Sequence, residues 1–300
     1  MKTAVQRPRQ VAVVARAGKT FGGGRRELRK RLAAAGYDAP LWYEIPKSSK
    51  AKKAIRRAVK EGAELVFLWG GDGLVQHGID AVVNGELDVP LAILPAGTAN
   101  LLAHNLGIDT DVKSAVATGL SGRRVAIDVG TVNDECFAVM AGTGTDAITM
   151  RGVSKAAKKR LGALAYFRTG VRAVHVPPAP LKIHVDGKEW FRGEASCVLV
   201  GNVGKIQGGI ELFSRASPVD GKLDLGVVTA GSRMEWARLM ARVATGGASR
   251  SPLVRTRQGK HIVIERESPA PYELDGGDRE ETKRLEIRVR PRAVKICLPR

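Results

Sequence analysis

The chain has 300 residues, of which 44% are hydrophobic and 26% are charged, a composition typical of a soluble globular protein with enough length for two domains. Forty-nine lysines and arginines against thirty aspartates and glutamates give a net charge of +19, which favours anionic partners unless the cations only solvate exposed faces. Aromatic residues make up 5% and do not alternate with basic clusters, and no apolar run approaches the roughly 18 residues that span a bilayer. Specific nucleic-acid binding and a transmembrane segment are therefore not expected.

The N-terminal stretch and the cysteines predict a cytoplasmic protein. Residues 1–18 are basic but contain no continuous apolar segment, so a secretory signal is not expected. Cys136, Cys197 and Cys297 are widely spaced in apolar, strand-like contexts. This spacing predicts buried free thiols in a reducing compartment rather than a metal site or disulfides.

The first 127 residues alternate short apolar strands with amphipathic helices. The predicted strands are 10–15, 40–45, 65–69 and 90–94, and the predicted helices are 25–35, 50–61 and 74–85. Because strand–helix alternation places helices on both faces of a sheet, this pattern predicts an α/β domain with a parallel sheet.

Three glycine-containing loops follow three of these strands, at 16–24, 70–73 and 95–100. Since the carboxyl ends of parallel strands meet at one edge of a sheet, we expect the loops to lie together. Glycine lets backbone N–H groups approach a ligand, and a helix N-terminus adds partial positive charge, so the loops favour a phosphate. Asp72 would repel a bare phosphate, which predicts that it faces a metal-bound nucleotide or a hydroxyl, unless the loop is only a tight turn.

After about residue 127 the pattern changes to alternating apolar and polar runs, interrupted by predicted helices around 155–174 and 232–245. Asp186-Gly187 predicts a hairpin turn. This half predicts a mostly antiparallel β-rich domain. The domain boundaries are placed at 1–127 and 128–282, and we expect the C-terminal segment 283–300 to return to the first domain.

The order of four motifs resembles the diacylglycerol kinase family of lipid kinases, in its bacterial soluble branch, to which sphingosine kinases are related. The motifs are GGDG at 70–73, LPAGTANLLAHNLGI at 94–108, AIDVG at 126–130 and MAGTGTDA at 140–147. The resemblance implies an NAD-kinase/diacylglycerol-kinase-like fold, with a nucleotide-binding domain at 1–127 and a lipid-substrate domain at 128–282. It also implies ATP and Mg²⁺ as cofactors and a lipid hydroxyl, such as that of diacylglycerol, as the phosphate acceptor.

The resemblance also assigns nucleotide-binding residues in the three loops. In the first loop the family's Asn-Pro is missing, which leaves backbone groups and two cations. The residues assigned to the nucleotide are Arg16, Gly18, Lys19, Gly70, Gly71, Asp72, Gly73, Gly97, Thr98 and Asn100.

For catalysis the resemblance implies Asp128 near the lipid hydroxyl and a glutamate base in a late DGE motif. Here Gly277 stands in place of that glutamate, and Asp278 follows one residue later. Asp278 is the candidate base, and Asp72 is the alternative, since a base must reach within about 2.6–3.2 Å of its proton or act through one water.

A structural metal site is implied near Asp220, but Ser217 and Val219 replace flanking acidic residues, and hard cations need several oxygen ligands. The alternative for Asp220-Gly221 is an ordinary β-turn.

The primary hypothesis is an ATP-dependent lipid kinase that is cytoplasmic and peripherally bound to an anionic membrane. The cationic clusters 47–57 and 155–160 are candidate docking surfaces, unless they are only solvated faces. Departures from the family pattern at Leu74, His77, Ser217 and Gly277 leave open a binding protein without turnover. A NAD-kinase-like enzyme is a third alternative. Edge strands in the β-rich half make a homodimer possible.

Overall fold

The computed structural model describes residues 8–19, 23–144, 177–206, 210–244, 247 and 250–300. The chain forms two compact units. Unit 1 contains Met1–Val129, Glu135–Ala138 and Arg290–Arg300, and unit 2 contains Gly130–Asp134 and Val139–Val289. The division thus falls after Val129, close to the predicted boundary at 127, and the chain returns to unit 1 at Arg290. The predicted helix around 155–174 and the cationic cluster 155–160 lie outside the described residues.

Unit 1 is built on a parallel sheet in the order β2-β1-β3-β4. These strands are β1 (Val11–Arg16), β2 (Leu41–Ile45), β3 (Leu65–Gly70) and β4 (Leu91–Pro95). Strand β14 (Gly277–Leu298) adds its C-terminal end in parallel to β4, with Ile296 opposite Leu91. The predicted α/β fold with a parallel sheet is confirmed.

Helices connect the strands of unit 1. They are α1 (Gly24–Ala34), α2 (Ala51–Lys60), α3 (Asp72–Val83), α4 (Leu101–Asn105) and α5 (Val112–Ser121), and a 3₁₀ turn at Ser48–Lys50 precedes α2. Strand β3 is buried along its whole length because it is central and covered on both faces, which explains its continuous apolar sequence. Helix α2 instead buries one face, formed by Ala54, Ile55 and Ala58, as its 3.6-residue periodicity predicts.

Unit 2 is mostly antiparallel, as predicted. Its elements are β7 (Met140–Thr143), β8 (Ala179–Val185), β9 (Lys188–Ala195), β10 (Cys197–Gly201), β11 (Leu223–Val228), α6 (Arg233–Ala244), β12 (Val254–Gly259), β13 (His261–Leu274) and the first part of β14. The strands pair in the order β12-β11-β10-β7-β13-β14, and β8 pairs with both β13 and β9. Strands β5 (Arg123–Val132) and β6 (Glu135–Phe137) pair with each other, and β5 also pairs with β14.

Turn residues confirm the hairpin predicted between β8 and β9. Asp186 and Gly187 have φ angles of 51° and 81°, the left-handed conformation that a tight two-residue turn requires. Within the described ranges, no helix has the length and apolar character needed to cross a membrane.

Candidate functional site

The described parts of the three predicted loops lie together at the carboxyl edge of the unit 1 sheet, and residues 20–22 of the first loop lie outside the described residues. They follow β1, β3 and β4, which are neighbours in the sheet. The indole Nε1 of Trp69 donates a hydrogen bond to the carbonyl of Lys19 at 3.1 Å, which ties the first loop to β3. The N–H of Ala96 donates to the carbonyl of Gly70 at 2.8 Å, which ties the second loop to the third.

Gly71 and Gly97 bring two loop backbones into direct contact. A Cβ atom on Gly71 would lie 2.9 Å from the Cα of Gly97, closer than real Cβ contacts come. A Cβ atom on Gly97 would lie 2.6 Å from Oδ1 of Asn100. The two glycines are therefore required by close approach, and the cradle between the loops is lined by backbone rather than by side chains.

Asn100 fixes the shape of the third loop. Its Oδ1 accepts a hydrogen bond from the N–H of Gly97 at 2.8 Å, and its Nδ2 donates to the Gly97 carbonyl at 3.1 Å. The residue is buried and has a φ of 48°, a left-handed conformation that asparagine tolerates better than most residues. The Asn100 side chain is thus a positioning group, whereas Thr98 of the same loop is exposed.

Helix α3 begins at Asp72, two residues earlier than the predicted start at Leu74. Gly71 is consequently the residue before the helix, and Asp72 and Gly73 belong to its first turn. The glycine loop therefore presents the N-terminus of a 12-residue helix, where unpaired N–H groups favour a negatively charged ligand.

The Asp72 carboxylate has a partner in the third loop. Its Oδ1 accepts a hydrogen bond from the N–H of Leu101, the first residue of α4, at 2.5 Å. Burial raises the pKa of Asp72, and the backbone N–H groups at Leu101 and Asn100 oppose that shift. Asp72 thus joins two loops by satisfying the N-terminus of α4. This role explains why a carboxylate can stand in a phosphate-type loop.

The first loop supplies cations and one glycine turn. Arg16 is half-buried and donates through Nη1 to the Ala17 carbonyl at 3.1 Å, while Lys19 is exposed. Gly18 has a φ of 71°, so the loop turns at the predicted glycine. Lys19 is therefore placed to attract an anion at this edge of the sheet.

Asp128 lies on β5 and is fully buried, with an exposed fraction of 0%. Its Oδ1 accepts a hydrogen bond from the N–H of Arg292 at 2.7 Å, across 164 residues of sequence. Arg292 has a φ of 52°, which shows that β14 is irregular at this point. In this structure Asp128 positions the returning strand, and its contact with a lipid hydroxyl stays a prediction.

Gly277 and Asp278 begin β14 after a tight hairpin turn in unit 2. The turn residues are Asp275 and Gly276, with φ angles of 46° and 77°. The Asp275 Oδ1 accepts hydrogen bonds from the N–H groups of Val139 and Met140 at 2.8 and 2.9 Å, which anchors the turn to the start of β7.

Asp278 is exposed and lies opposite Glu273 in the β13–β14 ladder. With Tyr272, Arg279 and Glu280 it lines an open cavity of about 610 Å³. Its side chain is therefore accessible to solvent in unit 2, while Asp72 and Asp128 belong to unit 1.

Asp220 occupies an exposed turn, where its Oδ1 accepts a hydrogen bond from the N–H of Lys222 at 2.9 Å. The nearby Asp224 is buried, and burial together with the charge of Asp220 raises the pKa of Asp224, although a hydrogen bond from Gln258 opposes this shift. Among the residues that the structure describes, no group of three or more His, Cys, Asp or Glu side chains could hold a metal ion. The metal site at Asp220 stays a prediction.

The sequence analysis did not identify two further carboxylates that accept backbone hydrogen bonds. Asp275 anchors the hairpin described above. Asp80 of α3 accepts hydrogen bonds from the N–H of Cys136 and from Asn84, and forms an ion pair with Lys52 at 3.0 Å. The four-residue spacing of Asp80 and Asn84, the residue that follows α3, is the local signal that could have indicated one contact of this network.

Two family models match the chain. The diacylglycerol kinase catalytic domain matches residues 15–132, and the YegS C-terminal NAD kinase beta sandwich-like domain matches residues 139–298. The second match covers more than half of the chain.

Curated relatives and solved structures agree with these matches. A protein from Pseudomonas aeruginosa named "Probable lipid kinase YegS-like" is 30% identical over 83% of this chain and 81% of its own length. A diacylglycerol kinase from Mycobacterium tuberculosis is 26% identical over 83% of this chain and 82% of its own length.

Among solved structures, a diacylglycerol kinase from Bacillus anthracis aligns with a TM-score of 0.79 at 21% identity over 98% of both chains. An NAD kinase from Archaeoglobus fulgidus in complex with ATP aligns with a TM-score of 0.52 at 12% identity, covering 96% of this chain and 93% of its own. At these identities the two structures establish the fold alone.

Proposed function

Since the chain belongs to the diacylglycerol kinase and YegS-like family of lipid kinases, we propose that it transfers the terminal phosphoryl group of ATP to a lipid hydroxyl such as that of diacylglycerol. The observation that carries this proposal is the backbone-lined cradle at the start of α3, where Gly71 and Gly97 touch and Asp72 holds α4. Phosphoryl transfer depends mainly on positioning and on stabilising negative charge, and a cradle of this kind provides both.

The residues present fit a nucleotide phosphate. The N-terminus of α3 offers backbone N–H groups in its first turn, and glycine at positions 71 and 97 lets the two loop backbones meet there with no side chain between them. The exposed Lys19 adds positive charge to the same edge. ATP with Mg²⁺, when bound, supplies the phosphoryl group and neutralises part of its charge.

Two carboxylates remain candidates for the base that accepts the proton of the lipid hydroxyl. The raised pKa of Asp72 makes it a better proton acceptor than an ordinary aspartate, although one oxygen is held by Leu101. Asp278 is exposed and stands next to the position of the missing glutamate. Asp128 has no exposed surface, so its proposed role is to position β14.

The lipid acceptor requires contact with a membrane, and we propose that the exposed surface of α2 and of the turn just before it provides it. Five exposed cations follow one another here, and none has an ion-pair partner among the residues described. They are Lys47, Lys50, Lys53, Arg56 and Lys60. The Ser48 hydroxyl beside them would lie 3.8 Å from a Cβ on Gly73, so this surface adjoins the cradle. Each well-placed cation adds about 1 kcal/mol of attraction to an anionic membrane.

The test is phosphate transfer from radiolabelled ATP to a panel of lipids, with and without Mg²⁺. The panel contains diacylglycerol, ceramide, a sphingoid base and phosphatidylglycerol, together with NAD as a water-soluble acceptor. We expect transfer to a lipid, and we expect D72N and D278A to separate the two candidate bases, because loss of the true base lowers kcat more than it changes the KM for ATP.

A binding protein without turnover is the second candidate, because Gly277 occupies the position of the family's glutamate. It predicts that the wild type binds ATP but transfers nothing to any acceptor. Transfer to NAD alone would instead reassign the acceptor to a dinucleotide and contradict the lipid proposal.

A further inference from the structure

Strand β13 places a half-buried arginine in line with buried apolar residues. Ile262 and Ile264 are buried on one face of the strand, and Arg266 follows two residues later on the same face, since side chains alternate along a strand. The partners of these three residues on β8 are Val185, Ile183 and Leu181, and all three are buried. The register therefore places Arg266 in a row whose other members pack as apolar residues.

The guanidinium of Arg266 is only incompletely satisfied. Its Nε and Nη1 atoms are buried and have no hydrogen-bond partner among the residues that the structure describes. Burial lowers the pKa of Arg266, an effect that the nearby Cys197 opposes, yet an arginine stays protonated in proteins. Two buried N–H donors and a positive charge are consequently left without compensation by the described residues.

The backbone of Gly144 packs beside the guanidinium of Arg266. A Cβ on Gly144 would lie 3.4 Å from Nη1 of Arg266, so the residue facing the guanidinium here has no side chain. The β13–β14 register is irregular between Glu265 and Ala270, and such irregularities redirect side chains. Arg266 is therefore directed inward beside a glycine.

We propose that Arg266 is the centre of an anion site in unit 2 that binds the phosphate group of a lipid headgroup or free phosphate. Buried N–H donors without a partner destabilise a fold, whereas a bound anion satisfies both donors. The planar guanidinium matches phosphate through two parallel hydrogen bonds. Phosphate is chosen over carboxylate because a lipid kinase produces phosphorylated lipids, and this choice rests on the proposed function.

The experiment compares wild type with R266M, which removes the charge and keeps an apolar side chain of similar length. The control is R257M, because Arg257 is an exposed arginine on β12 of the same unit. Binding of inorganic phosphate and of short-chain phosphatidic acid is measured by calorimetry, and thermal unfolding is followed in phosphate-free buffer. The difference between wild type and R266M separates this site from phosphate bound elsewhere.

We expect R266M to lose at least about tenfold in affinity for one of the two probes, whereas R257M keeps it. Without a ligand, R266M should unfold at the same or a higher temperature than wild type, because an unpaired buried charge has been removed. R266K, which keeps the charge but not the planar fork, should lie between wild type and R266M in affinity. Binding of inorganic phosphate identifies a free-phosphate site, and binding of phosphatidic acid alone identifies a headgroup site.

The proposal is overturned if R266M binds both probes as wild type does, or if wild type binds neither. It is also overturned if R266M unfolds at a lower temperature in phosphate-free buffer or fails to fold, because Arg266 would then be a structural residue. These readouts need no ATP turnover, so a failed lipid-transfer assay on the same preparations counts against the proposed kinase function and not against this site.

Discussion

Replacing Gly97 by alanine tests whether the contact between the two glycine loops supports function. The new Cβ would lie 2.6 Å from Oδ1 of Asn100, about 0.8 Å closer than the 3.4 Å at which ordinary contacts begin. Asn100 must then move, which breaks the 2.8 Å hydrogen bond that it accepts from Gly97. The same Cβ also meets the backbone of Gly71, which cannot yield as a flexible side chain would.

From this geometry we expect G97A to lower the free energy of unfolding by about 1–3 kcal/mol, the usual cost of overpacking. We expect ATP-dependent transfer to fall by about 100-fold, because misplacement by about 1 Å in a phosphoryl-transfer site has effects of that order. Urea unfolding measures the first quantity, and initial rates at saturating lipid measure the second.

The matched control is G119A on α5. There a new Cβ would lie 2.7 Å from Cζ of Phe67, so the substitution overpacks the core of the same unit away from the loops. G119A should lose comparable stability but keep its transfer rate per folded molecule. Equal rates for G97A and wild type, or equal rate losses in G97A and G119A, would refute the argument that the loop contact positions the phosphate.

Three further predictions follow from single contacts. Because burial raises the pKa of Asp72, its ionisation opposes folding once the pH rises above the ordinary aspartate value of 3.8. The wild type therefore loses stability with rising pH, whereas D72N does not. Urea titrations should show that the stability of D72N relative to wild type increases from pH 4 to pH 7. G277E should increase lipid transfer, since the new Cβ would meet the flexible end of Arg279 at 2.9 Å, which can move, and the Leu274 carbonyl oxygen at 3.3 Å, which must give by only a few tenths of an ångström. Reversing the charge of Lys53 and Arg56 to glutamate should weaken binding to anionic vesicles in a salt-dependent manner, as measured by sedimentation.

Each of these predictions has a contradicting outcome. A stability difference between D72N and wild type that is the same at every pH would show that Asp72 has an ordinary pKa. If G277E folds but is inactive, the missing glutamate is not what limits lipid transfer by this chain. The control is the double variant in which Arg255 and Arg257 of unit 2 are changed to glutamate, which alters the net charge by the same amount. If this variant loses vesicle binding equally, total charge rather than α2 controls docking.

Much of the fold and of the site could be predicted because the signals are local. The apolar run of β3 followed by glycines shows a strand and its turn within ten residues, and the structure places β3 at Leu65–Gly70. The same reasoning missed that Asp72 and Gly73 belong to α3, because glycine is a weak helix former and tertiary contacts override that preference. Helix boundaries were accordingly less well predicted than the helices themselves.

The sequence by itself determined which loops carry glycines and which carboxylates stand near them. It also determined that the second half is β-rich. Only the tertiary structure decided what those carboxylates do. Asp72 binds a backbone N–H 29 residues away, and Asp128 binds one 164 residues away. The contact between Gly71 and Gly97 and the position of Arg266 opposite the buried Leu181 likewise depend on which strands become neighbours. Periodicity reports on one segment at a time, whereas hydrogen-bond partners and close contacts are set by how separate segments pack in space.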